Sequence, residues 1–520
     1  MKYPFKFSEK DHQWANRTAE FIDRLSVENI EVVGILQPPP ADQQNLDDGD
    51  GLIIAAMFAQ PGVWQPIVDP IMSRLSLKVR WWQLGSDQDT SFVGYPELVK
   101  RITEIKDHLE LFGLKVKLGF AWQWLQKSPE LKNPPWEFLS YTVDPPFTQP
   151  ELEAYLDGNR AESGRTWVSL RPLSNTKYDL QARVLDLVQR ILATKAKNAD
   201  AVFLTEPFSV ERGVMQPDGT PGELLLPWRT ATTLLSGTKF EGSIVLPGGS
   251  RNYIFSRAAE SIMVIWHDQP KREVVFLGHN TKVIDVWGRE SKPQQEGHRQ
   301  VIHVDRFPKF ITGVNTAVAK WRMSFQFDRT ELASVFGRPQ TAAFQLKNAF
   351  SQGVNGTMTL NTPPNWDAKS QFPIKLSGGR EHREFFPITL RSLASTGKQQ
   401  LRVDFAITAD REYQFSVYRE MQVGLGDVVI ELDTKLDEQG NLIVKQTLIN
   451  NTQQFVSFDC SLYMHSRRRK RAYVLNVGEG RHTRIYFYPN GAELVGKPVR
   501  LRAREISGQR ILNYQTLVEQ

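Results

Sequence analysis

Over the first 238 residues, short apolar runs alternate with longer stretches whose apolar residues recur at helical spacing. The runs EVVGILQ (31–37), LKVRWWQLG (77–85), LKVKLGFAW (114–122), FLSYTVD (138–144), TWVSLRPL (166–173) and DAVFLTEPF (200–208) predict strands. Between them, YPELVKRITEIKDHLELFG and LQARVLDLVQRILATKAKNA predict amphipathic helices, with Gly113 placed to end the first. The stretch GLIIAAMFAQPG (51–62) fits a strand or a buried helix equally. Strands separated by helices pair in parallel, so the expected fold is a (β/α) TIM-barrel-like domain, complete or short of its eight strands. An open doubly wound sheet is the alternative.

Past residue 238 the period shortens to two. GSIVLPG, NYIFSR, ESIMVIWHD, REVVFLG, KVIDVWG, RQVIHVD and KFITGV alternate between Gly, Pro and Asn turns. WRMSFQF, GTMTLNTPPNW, FPIKLSG, EFFPITL and LRVDFAI continue the pattern, and DVVIELD, NLIVKQTLI, FVSFDCSLYMH, AYVLNV and TRIYFYP end it. The turn DEQGN at 437–441 marks a hairpin. The expected partition is a barrel-like domain at 1–238, a β-sandwich at 239–319, and Ig-like β-sandwiches at 320–423 and 424–520.

Two segments carry a family resemblance. LPGGSRNYIFSRAAESIMVIWHDQPKREVVFLGHNTKVIDVWGRE is similar to the β-domain that follows the barrel in several bacterial glycoside hydrolases. The segment from NGTMTLNTPPNW to LRVDF resembles the Ig-like domain associated with alpha-galactosidases, through Pro363 and Trp366, the Gly378-Gly379 turn and Gly397. What the resemblance implies is a bacterial, exported, carbohydrate-associated protein. It transfers no catalytic residue, because LKVKLGFAW runs into Gln123 where the largest barrel clan of glycosidases has an Asn-Glu pair.

Candidate acids therefore belong at strand ends, which converge on one mouth in a barrel. Glycoside hydrolysis takes two carboxyls no more than about 10 Å apart, one protonated and one ionised. Asp87 and Asp89 follow the second run, Asp144 ends the fourth and Glu206 ends DAVFLTE. GSDQDTSF also suits turn or helix capping, and DPPF suits a turn, whereas Glu206 before Pro207 is less readily a turn residue. Trp82, Trp122 and Trp124 could offer flat apolar faces to sugar rings or pack in the core. Of the adjacent Trp81 and Trp82, only one can face inward. Arg171, after TWVSL, could orient a carboxylate or bind an anionic sugar. The loop after Glu206, containing Glu211, Asp218 and Glu223, has the length of a lid or binding loop.

Composition narrows these options. A chain of 520 residues with 40% hydrophobic and 23% charged residues is globular and multi-domain. The single cysteine, Cys460, excludes internal disulfides and cysteine zinc sites. His267, His279 and His303 lack metal spacing, so no metal is expected. The phosphate-loop, dinucleotide and G-x-S-x-G patterns are absent, so no cofactor is expected. The start MKYPFKFSEKDHQW has no signal-peptide core and no run is long enough for a membrane span, so an exported protein would carry its signal upstream. The net charge of +6 arises in the C-terminal third, where from Thr341 onward 24 Lys and Arg face 17 Asp and Glu. Its densest run, Arg467–Arg471, suits an anionic polymer, a membrane surface or a charged, aggregation-resistant sheet edge. SRRRKRAY alone falls short of a nucleic-acid face, and carbohydrate is the partner that the resemblance implies. The expected function is action on, or binding of, oligo- or polysaccharide, with acid–base carboxylates at the barrel mouth if catalytic. The alternative is a non-catalytic carbohydrate-binding or cell-surface interaction protein.

Overall fold

The computed structural model describes residues 9–38, 53–113, 115–142, 147–158, 164–258, 260–424, 426–508 and 510–519. Six parallel strands form the N-terminal sheet: β1 (Val33–Leu36), β2 (Trp81–Leu84), β3 (Lys117–Trp122), β4 (Phe138–Thr142), β5 (Arg165–Leu170) and β6 (Ala201–Leu204). They pair in chain order from β1 to β6. The helices are α1 (Glu9–Val27), α2 (Ile54–Met57), α3 (Pro61–Leu75), α4 (Leu98–Leu109), α5 (Gln149–Gly158), α6 (Leu180–Ala196) and α7 (Leu225–Leu235). The ambiguous stretch at 51–62 supplies α2 and the start of α3, with Pro61 opening α3, where a missing N–H is harmless.

This sheet corrects the barrel expectation. It is a six-stranded parallel half-barrel whose edges β1 and β6 do not pair with each other. The next extended segment, Lys239–Gly242, instead runs antiparallel to Arg251–Arg257 and joins a different sheet. Local periodicity specifies strands, whereas closure depends on what the last strand meets. The unreversed order also lacks the switch point of a doubly wound sheet.

The two faces of the half-barrel differ. Trp82, Leu84, Phe120, Trp122, Tyr141 and Val168 join the helices in one large core. Trp81, Phe138 and Trp167 form a smaller aromatic cluster on the concave side, with Val33, Ala201 and Phe203 against it. Phe138 and Trp167 stack at 3.5 Å between ring centres. Lys117 Nζ lies 4.1 Å from the Trp81 ring centre, closing that end with a cation–π contact.

The rest of the chain is β-rich and sandwich-like. A six-stranded and a three-stranded sheet cover roughly residues 239–314, a five- and a four-stranded sheet 326–423, and a four- and a three-stranded sheet 428–517. The six-stranded sheet is buried on both sides. Phe255, Val264, Trp266 and Phe310 belong to the core shared with the half-barrel, while Ile254, Met263, Ile265 and Ile311 fill the sandwich. Period-two alternation with apolar residues at both phases has that outcome.

Polar contacts fix each joint. Tyr253 Oη donates to Glu153 of α5 at 2.6 Å, joining the half-barrel to the first sandwich. Helix α8 (Thr316–Ser324) lies between the first and second sandwiches. From it, Arg322 donates to the carbonyls of Phe276 at 2.7 Å and Ser416 at 3.0 Å. Burial pulls the Arg322 guanidinium down to about 10. Between the last two sandwiches, Asn513 N–H donates to Thr396 Oγ1 at 2.9 Å, and Asn513 Nδ2 donates to the Ala394 carbonyl at 3.0 Å.

Candidate functional site

The strand-end residues fall into three separate settings. Asp87 overhangs the concave face, where its Oδ1 accepts from Gln83 Nε2 at 3.0 Å and from Ser140 Oγ at 3.4 Å. Ser140 in turn meets Ser169 Oγ at 3.4 Å. Gln83, Ser140 and Ser169 are all buried. They stand on the concave face of β2, β4 and β5, on the same side as Trp81, Phe138 and Trp167. Small polar side chains follow the aromatic ones toward the strand ends, a row that alternation alone did not single out.

Asp89 has a different task. Its Oδ2 accepts from Ile54 N at 2.9 Å and its Oδ1 from Ser91 N at 3.0 Å. Ser91 Oγ accepts from Ala55 N at 3.0 Å. The loop after β2 therefore caps α2, whose own N-cap residue, Ile53, has no capping side chain. This is the capping role that GSDQDTSF allowed.

Glu206 stands at the end of β6 in a left-handed conformation, with φ of 51°. A non-glycine residue there is strained by about 1 kcal/mol or more. Arg171 Nη2 donates to Glu206 Oε1 at 3.1 Å, so the partner brought to Glu206 is a cation. The Arg171 carbonyl accepts from Arg190 Nη2 at 2.9 Å. Arg190 is fully buried in α6 and paired with Asp186. Burial raises the Asp186 carboxyl above its ordinary range, against the pull of Arg190.

The loop read as a lid is stitched down. Asn175 N donates to the Glu211 carbonyl at 3.0 Å, and Ser174 Oγ donates to Glu211 Oε2 at 3.1 Å. Arg183, 3% exposed, donates to Glu223 at 2.8 Å, and Arg212 donates to the Pro172 carbonyl at 3.1 Å. Asp218 organises its own turn, accepting from Thr220 N and Oγ1.

The three tryptophans are packed in the interior. Trp82, Trp122 and Trp124 are 2, 4 and 4% exposed. Trp82 faces the helices, donates to the Val79 carbonyl at 3.0 Å and fills the space beside Gly34. Its neighbour Trp81 takes the concave side. Trp122 Nε1 donates to the Gln126 carbonyl at 3.1 Å. Trp124 packs on Tyr141 with ring centres 4.7 Å apart.

Asp144 lies outside the described residues. Among the described residues, no hydrogen bond or ion pair joins Glu206 to Asp87 or Asp89. The strand bearing Glu206 is four steps from the one bearing Asp87, about 19 Å along the sheet at the usual strand spacing. No group of three His, Cys, Asp or Glu among the described residues could hold a metal ion. No helix among them is long and apolar enough to cross a membrane. A cavity of about 1060 Å³ opens elsewhere, between the last two sandwiches, bordered by Lys398, Asp427, Glu505 and Arg510.

A basic sheet face on the last sandwich was half-seen in the sequence. Strand Pro498–Glu505 reads PVRLRARE, and Val499, Leu501 and Ala503 point into the core while Arg500, Arg502 and Arg504 do not. The period of two in R-L-R-A-R was available to find it.

No family model and no curated protein matches this chain. Solved structures that match include a DUF4785 family protein from Legionella pneumophila, at 11% identity and TM-score 0.17, covering 54% of this chain and 84% of that one. A class 5 fimbriae chaperone matches at 10% identity and TM-score 0.17, covering 38% and 99%. Trypsin-activated alpha-2-macroglobulin from Escherichia coli matches at 9% identity and TM-score 0.25, covering 54% and 24%. At these scores none carries an argument about this chain. The resemblance to bacterial glycoside hydrolases and to the alpha-galactosidase-associated domain is corrected on the first of these findings: no family model and no curated protein of either kind matches the chain.

Proposed function

We propose that this chain is a non-catalytic interaction protein, in which the half-barrel and three sandwiches form a scaffold for binding a partner. The observation that carries the reading is the use made of the strand-end acids. Asp89 caps α2, and Glu206 is paired with Arg171, while among the described residues no hydrogen bond joins it to a second carboxyl. Acid–base hydrolysis of a glycoside needs two carboxyls set against each other across the scissile bond, whereas the group brought to Glu206 is a guanidinium. The burial of Trp82, Trp122 and Trp124 supports the same reading, because stacking on a sugar ring needs an open face. So does the stitching of the 205–224 loop to the loop after β5, since a lid must be free to move.

The test is a hydrolysis screen with neutral and acidic glycans, read by release of reducing ends, for the wild type beside Glu206→Gln and Asp87→Asn. No turnover is expected from any of the three. Turnover by the wild type that either substitution abolishes overturns the proposal and assigns that acid to catalysis.

A further inference from the structure

The outward face of the four-stranded sheet in the last sandwich is an ordered array of cations. Strand Lys470–Val477 is its free edge, followed inward by Val456–Met464 and Pro498–Glu505. Register sets Arg471 beside Ser461 and Ser461 beside Arg502 in one row. The next row holds Tyr473, Asp459 and Arg504. On the other side Tyr463 lies opposite Arg500. Same-face neighbours therefore repeat about 7 Å along each strand and about 5 Å between strands. Arg469, in the preceding turn, reaches over the Tyr463 ring at 5.9 Å, and Arg471 lies 5.2 Å from the Tyr473 ring centre.

Little negative charge opposes this array. Asp459 is the carboxylate within it, and Arg471 grips it through both oxygens at 2.8 and 2.5 Å. The Arg471 guanidinium, with Arg469 and Arg504 nearby, holds the Asp459 carboxyl below the usual carboxylate range. Arg500 is held by Gln515 at 2.8 Å. Among the described residues, Arg469, Arg502 and Arg504 have no carboxylate within ion-pair distance. The β-sheet base keeps these guanidinium groups spaced, so a multivalent anion meets several without reorganising the protein.

We propose that this face binds an anionic polysaccharide, a polymer carrying carboxylate or sulfate groups along its length. The inference rests on the reading of the chain as a binding protein and names its partner. Charge complementarity selects a polyanion, and the aromatic residues select between polyanions. Single-stranded nucleic acid is bound by stacking bases on open aromatic faces. Here Tyr463 and Tyr473 stay 40 and 52% exposed, but each has a guanidinium from its own chain near one ring face, and the arginine forks of this sheet outnumber them. Planar forks match carboxylate and sulfate oxygens in pairs.

The experiment titrates the full chain with polygalacturonate, dextran, a short single-stranded oligonucleotide and its duplex. Binding to polygalacturonate that weakens as salt rises, with none to dextran, is the expected result. Arg502→Glu/Arg504→Glu should weaken it about tenfold or more. Lys375→Glu/Lys398→Glu, the same charge change on the neighbouring sandwich, should leave it within about twofold. If the reversal variant fails to fold, Arg502→Gln/Arg504→Gln replaces it. Equal loss in both variants, equal binding of dextran, tighter binding of either nucleic acid, or no binding of polygalacturonate overturns the proposal. Cleavage of the bound polymer would sink the non-catalytic reading and leave the face standing, whereas absence of both binding and cleavage sinks the face alone.

Discussion

Asp89 and Ile54 are 35 residues apart in the chain, and the carboxylate of the first closes the helix that begins at the second. The loop after β2 thus holds α2 in place, although neither segment carries a sequence signal naming the other. Asp89→Ala should destabilise the half-barrel by about 1 kcal/mol, and Asp89→Asn by less, because an amide oxygen still accepts the bond. Urea midpoints of the two variants check this. Equal loss in both would mean that charge, not the cap, is what matters.

Gly34 faces the Trp82 ring so closely that an added Cβ would lie 2.5 Å from two of its carbons. Trp82 is packed from the helix side and has nowhere to retreat. Gly34→Ala is expected to destabilise by about 1–3 kcal/mol through overpacking. Gly62, where an added Cβ would meet nothing within 4 Å, should accept alanine with little change. Thermal melts of the pair test the contrast.

Thr396 and Asn513 join the last two sandwiches through a buried exchange of hydrogen bonds, Thr396 N–H donating at 2.8 Å and Thr396 Oγ1 accepting at 2.9 Å. Thr396→Val keeps the shape and strands the Asn513 N–H. The expected loss is about 1–3 kcal/mol, the usual penalty for an unsatisfied buried donor. Hydrogen exchange at Asn513 should rise in the variant, and an unchanged rate would show that the joint is held by other contacts.

Asp427 receives a bidentate grip from Arg510, and that interaction holds its carboxyl below the ordinary value near 4. A lowered folded-state value means that the unfolded chain takes up the proton first as acid is added. The stabilisation is complete above the unfolded value and is lost as pH falls through the folded one. Asp427→Asn should therefore flatten the acid limb of the stability profile while lowering stability at neutral pH. Urea midpoints from pH 6 down to about 3 measure both effects.

Cys460 is fully buried in the last sandwich, and burial raises its thiol above the ordinary range. A thiol-specific reagent should label native protein slowly and unfolded protein at once. The labelling rate in increasing urea then reports the opening of this sandwich alone. Fast labelling without denaturant would contradict the packing described.

Much of the architecture was legible, and what was not has identifiable causes. The six apolar runs become β1 to β6 because a parallel strand buried on both faces is apolar throughout. The same continuity hid which of Trp81 and Trp82 faces the helices. Barrel closure was illegible because it depends on where Lys239–Gly242 finds its partner, a contact that local pattern does not encode. At the site, capping was readable in GSDQDTSF, whereas the Arg171 contact to Glu206 spans 35 residues and two strands. Arg467–Arg471 stood out as a run, but the arginines at 500, 502 and 504 add their charge only when the sheet aligns them.

The joints have a mechanical consequence. Arg322 on α8 grips carbonyls from both flanking sandwiches, Arg419 grips the carbonyl of Phe325 at the end of the same helix, and Asn513 clamps the next joint. Each coupling resists bending and twisting together, because its bonds point in several directions. Reorienting one sandwich against the next would therefore have to break several hydrogen bonds at once, so these joints are built as fixed couplings and not as swivels.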